Sequence, residues 1–204
     1  MSPAHVIEPT YQGIKARLKN GAWPMGMRLE AAKLADELGV SVTPVRDSLN
    51  RLAGERLVEF WPGEGYRVTR LNERLLRDLF LFNRDVLGRA AATMEASDME
   101  IDRSKPRPPY PERVAGLFSG VAAASGNAAT REVVEALNDR LHPVRCLDPQ
   151  LIARCEPEIE LFGRMIRDNA GPAERNGWLV SYHDRRCELA SEYVFRLEQG
   201  PISS

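Results

Sequence analysis

The spacing of apolar residues changes along the chain, and each change marks an element. Residues 1–10 show no period and read as a loose arm, while 11–19 carry Ile14 and Leu18 on one helical face. Gly21, Pro24 and Gly26 then impose a turn. A second helix over 30–37 turns Leu34 and Leu38 inward and stops at Gly39, a residue suited to the left-handed conformation that ends helices. A third helix is expected after Ser41-Val42-Thr43, with Thr43 as its N-cap and Pro44 in the first helical position, where a missing N–H costs nothing. Over 57–69 the period becomes alternating. Val58 and Phe60 share one face of a strand, Trp61-Pro62-Gly63-Glu64-Gly65 is turn material, and Tyr66 and Val68 share a face of the returning strand.

Beyond Asn72, a good cap, the helical period returns and stays. A long helix over 73–95 has an apolar stripe wide enough to be covered on two sides. Lys105 to Pro111 is a loop by composition, and helices are expected at 112–124, 128–141 (ended by Pro143), 149–167 and 172–198. Asp148-Pro149 and Gly171-Pro172 are helix starts, and Pro157 should kink or split the helix that contains it. The expected fold is mainly α: three helices and a hairpin over 1–71, then an all-α bundle over 72–204.

Composition narrows the class. With 43% hydrophobic and 28% charged residues among 204, the chain can bury a core and is not a disordered polyelectrolyte. The formal charge is -1, from 28 Lys+Arg against 29 Asp+Glu, which argues against a non-specific coat for nucleic acid but leaves room for a basic patch. Cys146, Cys155 and Cys187 are odd in number and widely spaced, so neither a disulfide framework nor a zinc knuckle is indicated, and a cytoplasmic location is expected. No stretch has the apolar length of a membrane helix.

The third helix holds the first candidate chemistry. At about 100° per residue, Thr43, Arg46, Asp47 and Asn50 fall on one side, and Val45, Ser48, Leu49 and Leu52 on the other. A helix presenting Thr, Arg and Asn behind a supporting helix and a glycine turn has the geometry of a DNA-reading helix. Arg can grip guanine or phosphate, Asn can pair with adenine, and hydroxyls at a helix start suit phosphate. The hairpin would be a wing along the backbone. A small packed domain whose polar face is simply solvated fits the same periodicity.

Gly26-Met27-Arg28-Leu29, the run Leu34-Ala35-Asp36-Glu37-Leu38-Gly39-Val40-Ser41-Val42-Thr43-Pro44-Val45-Arg46, and Gly65-Tyr66-Arg67-Val68 resemble the winged helix-turn-helix of the GntR family of bacterial transcription regulators. The resemblance covers about residues 10–70. It implies DNA binding through Ser41, Thr43, Arg46 and Asn50, with Lys33 and the wing residues Gly65, Tyr66 and Arg67. Three positions depart from the family pattern. Val42 stands where an Arg is usual, Glu64 occupies the wing tip where a base is common, and Arg56 replaces a Gly before the hairpin. Each lost phosphate contact lowers affinity and flattens its salt dependence.

The second unit resembles, more loosely, the FCD effector domain of the FadR-type branch, through the segments from Leu79 to Ala92 and from Val121 to Asn127. That resemblance implies an antiparallel bundle enclosing a small ligand, often with a divalent metal held by one Asp and three His. Here the paired Asp and His positions fall on Val114 and Phe118, the last His aligns with His183, and the remaining one falls near Glu156 or Glu158. No bound metal and no cofactor are therefore expected. The candidate anchors for a small carboxylate effector are Arg84, Arg89, Asn127 and His183; the alternatives are a partly buried, internally satisfied His183 and arginines engaged in ion pairs with Asp85 or Glu95. A helix-turn-helix reads one half-site, so a homodimer is expected, acting as a repressor. No nucleophile elbow, phosphate loop or metal pair suggests an enzyme. The remaining alternative is a dimeric interaction module that kept the fold and lost effector and DNA binding.

Overall fold

A computed structural model describes residues 4–94 and 107–200. The chain divides into two compact units, one running to Leu71 and including the chain from Val194 onward, the other Asn72–Tyr193.

The first unit begins with α1 (Ala4–Lys19), so residues 4–10, expected as an arm, are helical. Pro9 lies inside this helix. The helix is held by what its polar side chains reach. Tyr11 Oη donates to Glu55 Oε1 at 2.7 Å, Lys15 Nζ donates to Glu55 Oε2 at 2.8 Å, and Arg51 lies over the Tyr11 ring and bonds Glu8 at 2.9 Å. Next come β1 (Arg28–Leu29), α2 (Ala31–Leu38), α3 (Val42–Gly54), β2 (Val58–Trp61) and β3 (Gly65–Val68). The strand β1 has only two residues and was not expected. It turns the hairpin into a three-stranded antiparallel sheet of order β1-β3-β2. Tyr11, Ile14, Leu18, Leu34, Val45, Leu49, Leu52 and Val58 form the core.

The α3 start differs from expectation. Ser41 is the N-cap, and Thr43 and Pro44 are the second and third helical residues. Proline is tolerated through the first turn because those N–H groups lack helical partners. Both α2 and α3 end in the same double hydrogen bond. Gly39 N–H reaches Asp36 and Val40 N–H reaches Ala35; Arg56 N–H reaches Ala53 and Leu57 N–H reaches Leu52. The motif needs a left-handed residue: Gly39 has φ 65° and Arg56 has φ 61°.

The second unit is helical: α4 (Glu73–Thr93), α5 (Tyr110–Ala124), α6 (Ala128–Arg145), α7 (Asp148–Leu151), α8 (Cys155–Arg167) and α9 (Pro172–Glu188), followed by α10 (Ala190–Glu198), which begins in this unit. Asn72 and Asn127 cap α4 and α6 by accepting from Leu75 N and Thr130 N. Four boundaries depart from the sequence reading. The loop ends earlier, since Tyr110 and Pro111 open α5; Lys105 and Pro106 lie outside the described residues. Pro143 sits inside α6, which runs on to Arg145. The expected 149–167 helix breaks at 152–154 rather than at Pro157, which occupies the first turn of α8. The 172–198 helix is interrupted at Leu189. Phe118 is fully buried at the centre of an aromatic cluster, edge-on to Phe162, Trp178 and Tyr182 and stacked on His183.

Candidate nucleic-acid interface

The outward face of α3 carries Ser41, Thr43, Arg46, Asp47 and Asn50, all exposed, while Val45, Ser48, Leu49 and Leu52 are buried. Ser48, the polar member of the inner face, is satisfied by donating to Pro44 O at 2.7 Å. The helix start is open. Ser41 makes no side-chain cap hydrogen bond, so its hydroxyl and the N–H groups of Val42 and Thr43 are left to an external acceptor. With a proline third, this end offers fewer amide donors than an ordinary helix, and the hydroxyls of Ser41 and Thr43 supplement them. Arg46 has no ion-pair or hydrogen-bond partner among the described residues.

The remaining expected residues are engaged. Lys33, on α2, is exposed and pairs with Glu30 at 2.7 Å. Asn50 is tied to the wing, with Tyr66 Oη donating to its Oδ1 at 2.6 Å. Reading adenine with two bonds needs both the oxygen and the nitrogen of the Asn amide. Tyr66 takes one of the two lone pairs of Oδ1, so Asn50 keeps its NH₂ as a donor and one lone pair as an acceptor, in an orientation set by the wing. Tyr66 is held in turn by its ring, tilted against Phe60 with centroids 5.1 Å apart.

The wing follows from its turn residues. Glu64 N–H reaches Trp61 O at 3.0 Å, with Pro62 and then Gly63 (φ 82°) between them, the arrangement of a type II turn; Gly65 (φ 86°) returns the strand. The register sets Arg28, Arg67 and Glu59 side by side on the outward face of the sheet. Glu64 takes Arg67 as a partner at 3.0 Å, so the wing-tip carboxylate neutralises the wing arginine. Trp61 and Phe60 remain about half exposed.

In the helical unit the expected anchors are not brought together. Arg84 bonds Asp85 and Asp184 at 3.2 and 3.1 Å, Arg89 is exposed, and Asn127 is exposed and occupied as a helix cap. Glu95 lies outside the described residues. His183 is fully buried, its Nδ1–H donating to Leu179 O at 2.7 Å and its Nε2 accepting from Asn83 Nδ2 at 3.1 Å. Burial, with repulsion from Arg145, Arg186 and Arg84, pushes its pKa down to about 3, so the ring is neutral. Val114 and Phe118 are buried apolar side chains and both His183 nitrogens are engaged, so these residues do not fit a metal ion.

What the sequence reading missed are buried arginines. Arg145, Arg175 and Arg186 are all 3% exposed or less. Their positions carried a signal: Arg145 continues the inward stripe of Val134, Leu137, Asn138 and Leu141, and Arg175 and Arg186 share the stripe of Trp178, Leu179, Tyr182 and His183.

Residues 7–68 match the family model described as "Bacterial regulatory proteins, gntR family". The HTH-type transcriptional regulator McbR of Escherichia coli K12 is 35% identical over 66 residues, covering 32% of this chain and 30% of McbR. An uncharacterized HTH-type transcriptional regulator of Agrobacterium vitis is 24% identical over 101 residues, 50% of this chain and 59% of its own. The chain therefore aligns with less than two thirds of either curated relative. Among solved structures, a GntR transcriptional regulator assigned in Rhodococcus sp. RHA1 superposes with TM-score 0.73 at 13% identity, covering 90% of this chain and 96% of that one. E. coli McbR/YncC does so with TM-score 0.67 at 18% identity, covering 91% and 97%. At these identities the structures establish the fold. The fold and the relatives are those of regulators, not of enzymes. Among the described residues no helix is long and apolar enough to cross a membrane.

Proposed function

From a first unit that is a winged helix-turn-helix of the GntR family, we propose that the protein is a sequence-specific, DNA-binding transcriptional regulator that represses as a homodimer and takes a small effector in its helical unit. The observation that carries this reading is the outward face of α3: an exposed, unpaired Arg46 beside the open helix start at Ser41 and Thr43. A helix so placed in the major groove puts Arg46 at base edges or phosphate, while the hydroxyls and free N–H groups at its start meet a phosphate. One recognition helix covers one half-site, so two copies are needed for useful specificity. The exposed Leu81 and Phe82 on α4 supply apolar surface for such a pairing.

The test is a gel-shift titration on the DNA upstream of the protein's own transcription unit. Arg46→Ala should abolish binding with an unchanged circular dichroism spectrum; undiminished binding by this variant removes residue 46 from the interface. Light scattering checks the dimer. The Glu64–Arg67 pair, which neutralises a wing cation, favours a second reading, an interaction module that kept the fold without DNA binding. Complete absence of binding at low salt by a folded dimer would decide for it.

A further inference from the structure

The helical unit buries two arginines in one neighbourhood and treats them differently. Arg186, 0% exposed, bonds Asp148 Oδ2 through Nε and Nη2 at 2.9 and 2.7 Å, Glu158 Oε2 at 3.0 Å, Tyr182 O at 2.8 Å and the Tyr110 hydroxyl at 2.9 Å. Asp148 and Glu158 are thus both engaged by Arg186. Arg145, 1% exposed, receives no carboxylate: Nη1 donates to Asn138 Oδ1 at 2.8 Å, and the guanidinium carbon lies 5.1 Å from the Phe118 ring centre. Its Nε and Nη2, both enclosed, have no acceptor among the described residues.

Which two nitrogens are left over is informative. Nε–H and the adjacent Nη2–H point the same way from one edge of the guanidinium, and that edge matches the two oxygens of a carboxylate. It is the edge that Arg186 uses on Asp148. A second enclosed group without a partner stands in the same aromatic cluster: the hydroxyl of Tyr182, whose ring meets Phe118 edge-on at 5.3 Å. A guanidinium cannot discard its proton to escape burial, so an enclosed one without an anion weakens the fold unless function retains it.

We propose that Arg145 is the anion-binding residue of the helical unit, taking the carboxylate of a small organic acid on its Nε–Nη2 edge, with the Tyr182 hydroxyl donating to the same group. This deepens the effector reading and rests on it, but it does not depend on how DNA is bound. The anchor differs from Arg84, which is paired at the surface, and from His183, whose ring nitrogens are both engaged.

Thermal unfolding of the full-length protein tests it, with millimolar formate, acetate, lactate, succinate and benzoate compared with chloride at equal ionic strength. At least one carboxylate should raise the melting temperature of the wild type. Arg145→Gln, which keeps an amide donor for Asn138 and discards the charge, should weaken that ligand on the order of tenfold to a hundredfold and be no less stable than wild type without it. Tyr182→Phe should weaken it less. No stabilisation of the wild type by any of the five acids overturns the proposal, as does a stabilisation that Arg145→Gln retains in full. A carboxylate that needs Arg145 yet leaves DNA affinity unchanged would keep the site and remove the effector reading; loss of DNA binding by Arg46→Ala is read separately.

Discussion

Arg56 should be replaceable by glycine with a gain in stability. It closes α3 at φ 61°, in the position Gly39 occupies at the end of α2 with φ 65°, and both ends carry the same pair of backbone hydrogen bonds. A side chain in this left-handed region costs about 1–2 kcal/mol. Glycine returns about 0.5–1 kcal/mol of that through the extra freedom of the unfolded chain. The exposed Arg56 side chain has no ion-pair partner among the described residues, and the bond from Thr69 Oγ1 goes to its carbonyl, which glycine keeps. The net expectation for Arg56→Gly is a gain of about 0.5–1 kcal/mol, confined to the first unit. Hydrogen exchange of the full-length protein reads this as an about two- to fivefold slowing of the α3 and hairpin amides that open globally. Gly39→Ala is the mirror experiment. A Cβ there meets nothing within 4 Å, so its cost is purely conformational, about 1 kcal/mol, and the same amides should exchange about five times faster. Unchanged or faster exchange in Arg56→Gly would refute the conformational reasoning, because no contact is lost to offset the relief.

Tyr66→Phe should lower DNA affinity by about two- to tenfold in a gel shift, the worth of one hydrogen bond, and Asn50→Ala should add little in that background if the pair works as one unit. Equal and additive losses would separate the two residues. His183 should make the helical unit acid-sensitive: its folded pKa near 3 lies below the ordinary value of 6.5, so the unfolded chain holds the extra proton and stability is full above that value and falls as pH drops toward 3. The slope is about 1.4 kcal/mol per pH unit, and denaturant titrations of His183→Gln across this window should lose it; an unchanged slope would assign the acid sensitivity elsewhere.

Much of the first unit was legible because its signals are local. Gly39 announced a left-handed cap and the alternation of Val58, Phe60, Tyr66 and Val68 gave the hairpin, while at the start of the second unit Asn72 announced α4. The errors came where local rules are permissive. Pro44 marked a helix start but is tolerated anywhere in the first turn, which moved the cap from Ser41 to Thr43. Pro143 read as a breaker, yet α6 runs through it to Arg145. Two residues of β1 cannot display an alternation at all, and its existence depends on pairing with β3. The candidate anchors in the helical unit, Arg84, Arg89, Asn127 and His183, are not brought together by the fold. Arg84 and Arg89 lie in the segment that resembles the effector domain, whereas the burial of Arg145 is set by a stripe it shares with Leu137 and Leu141.

The near-zero net charge is best understood through the ion pairs. Residues 1–70 contain 10 Lys+Arg and 8 Asp+Glu. Lys15 is paired with Glu55, Arg17 with Glu37, Lys33 with Glu30, Arg51 with Glu8 and Glu55, and Arg67 with Glu64. Arg28, Arg46, Arg56 and Arg70 have no ion-pair partner among the described residues, and of these Arg46 stands on the outward face of α3 and Arg28 on the outward face of the sheet. Paired cations release fewer counterions on meeting phosphate, because part of their charge is already neutralised. In the proposed regulator, affinity for DNA would then rest on a few placed side chains rather than on a general positive field, with a second copy of the unit adding the contacts that one copy lacks. Such electrostatics suits the proposed sequence-specific role, since a weak non-specific term leaves base contacts a larger share of the discrimination.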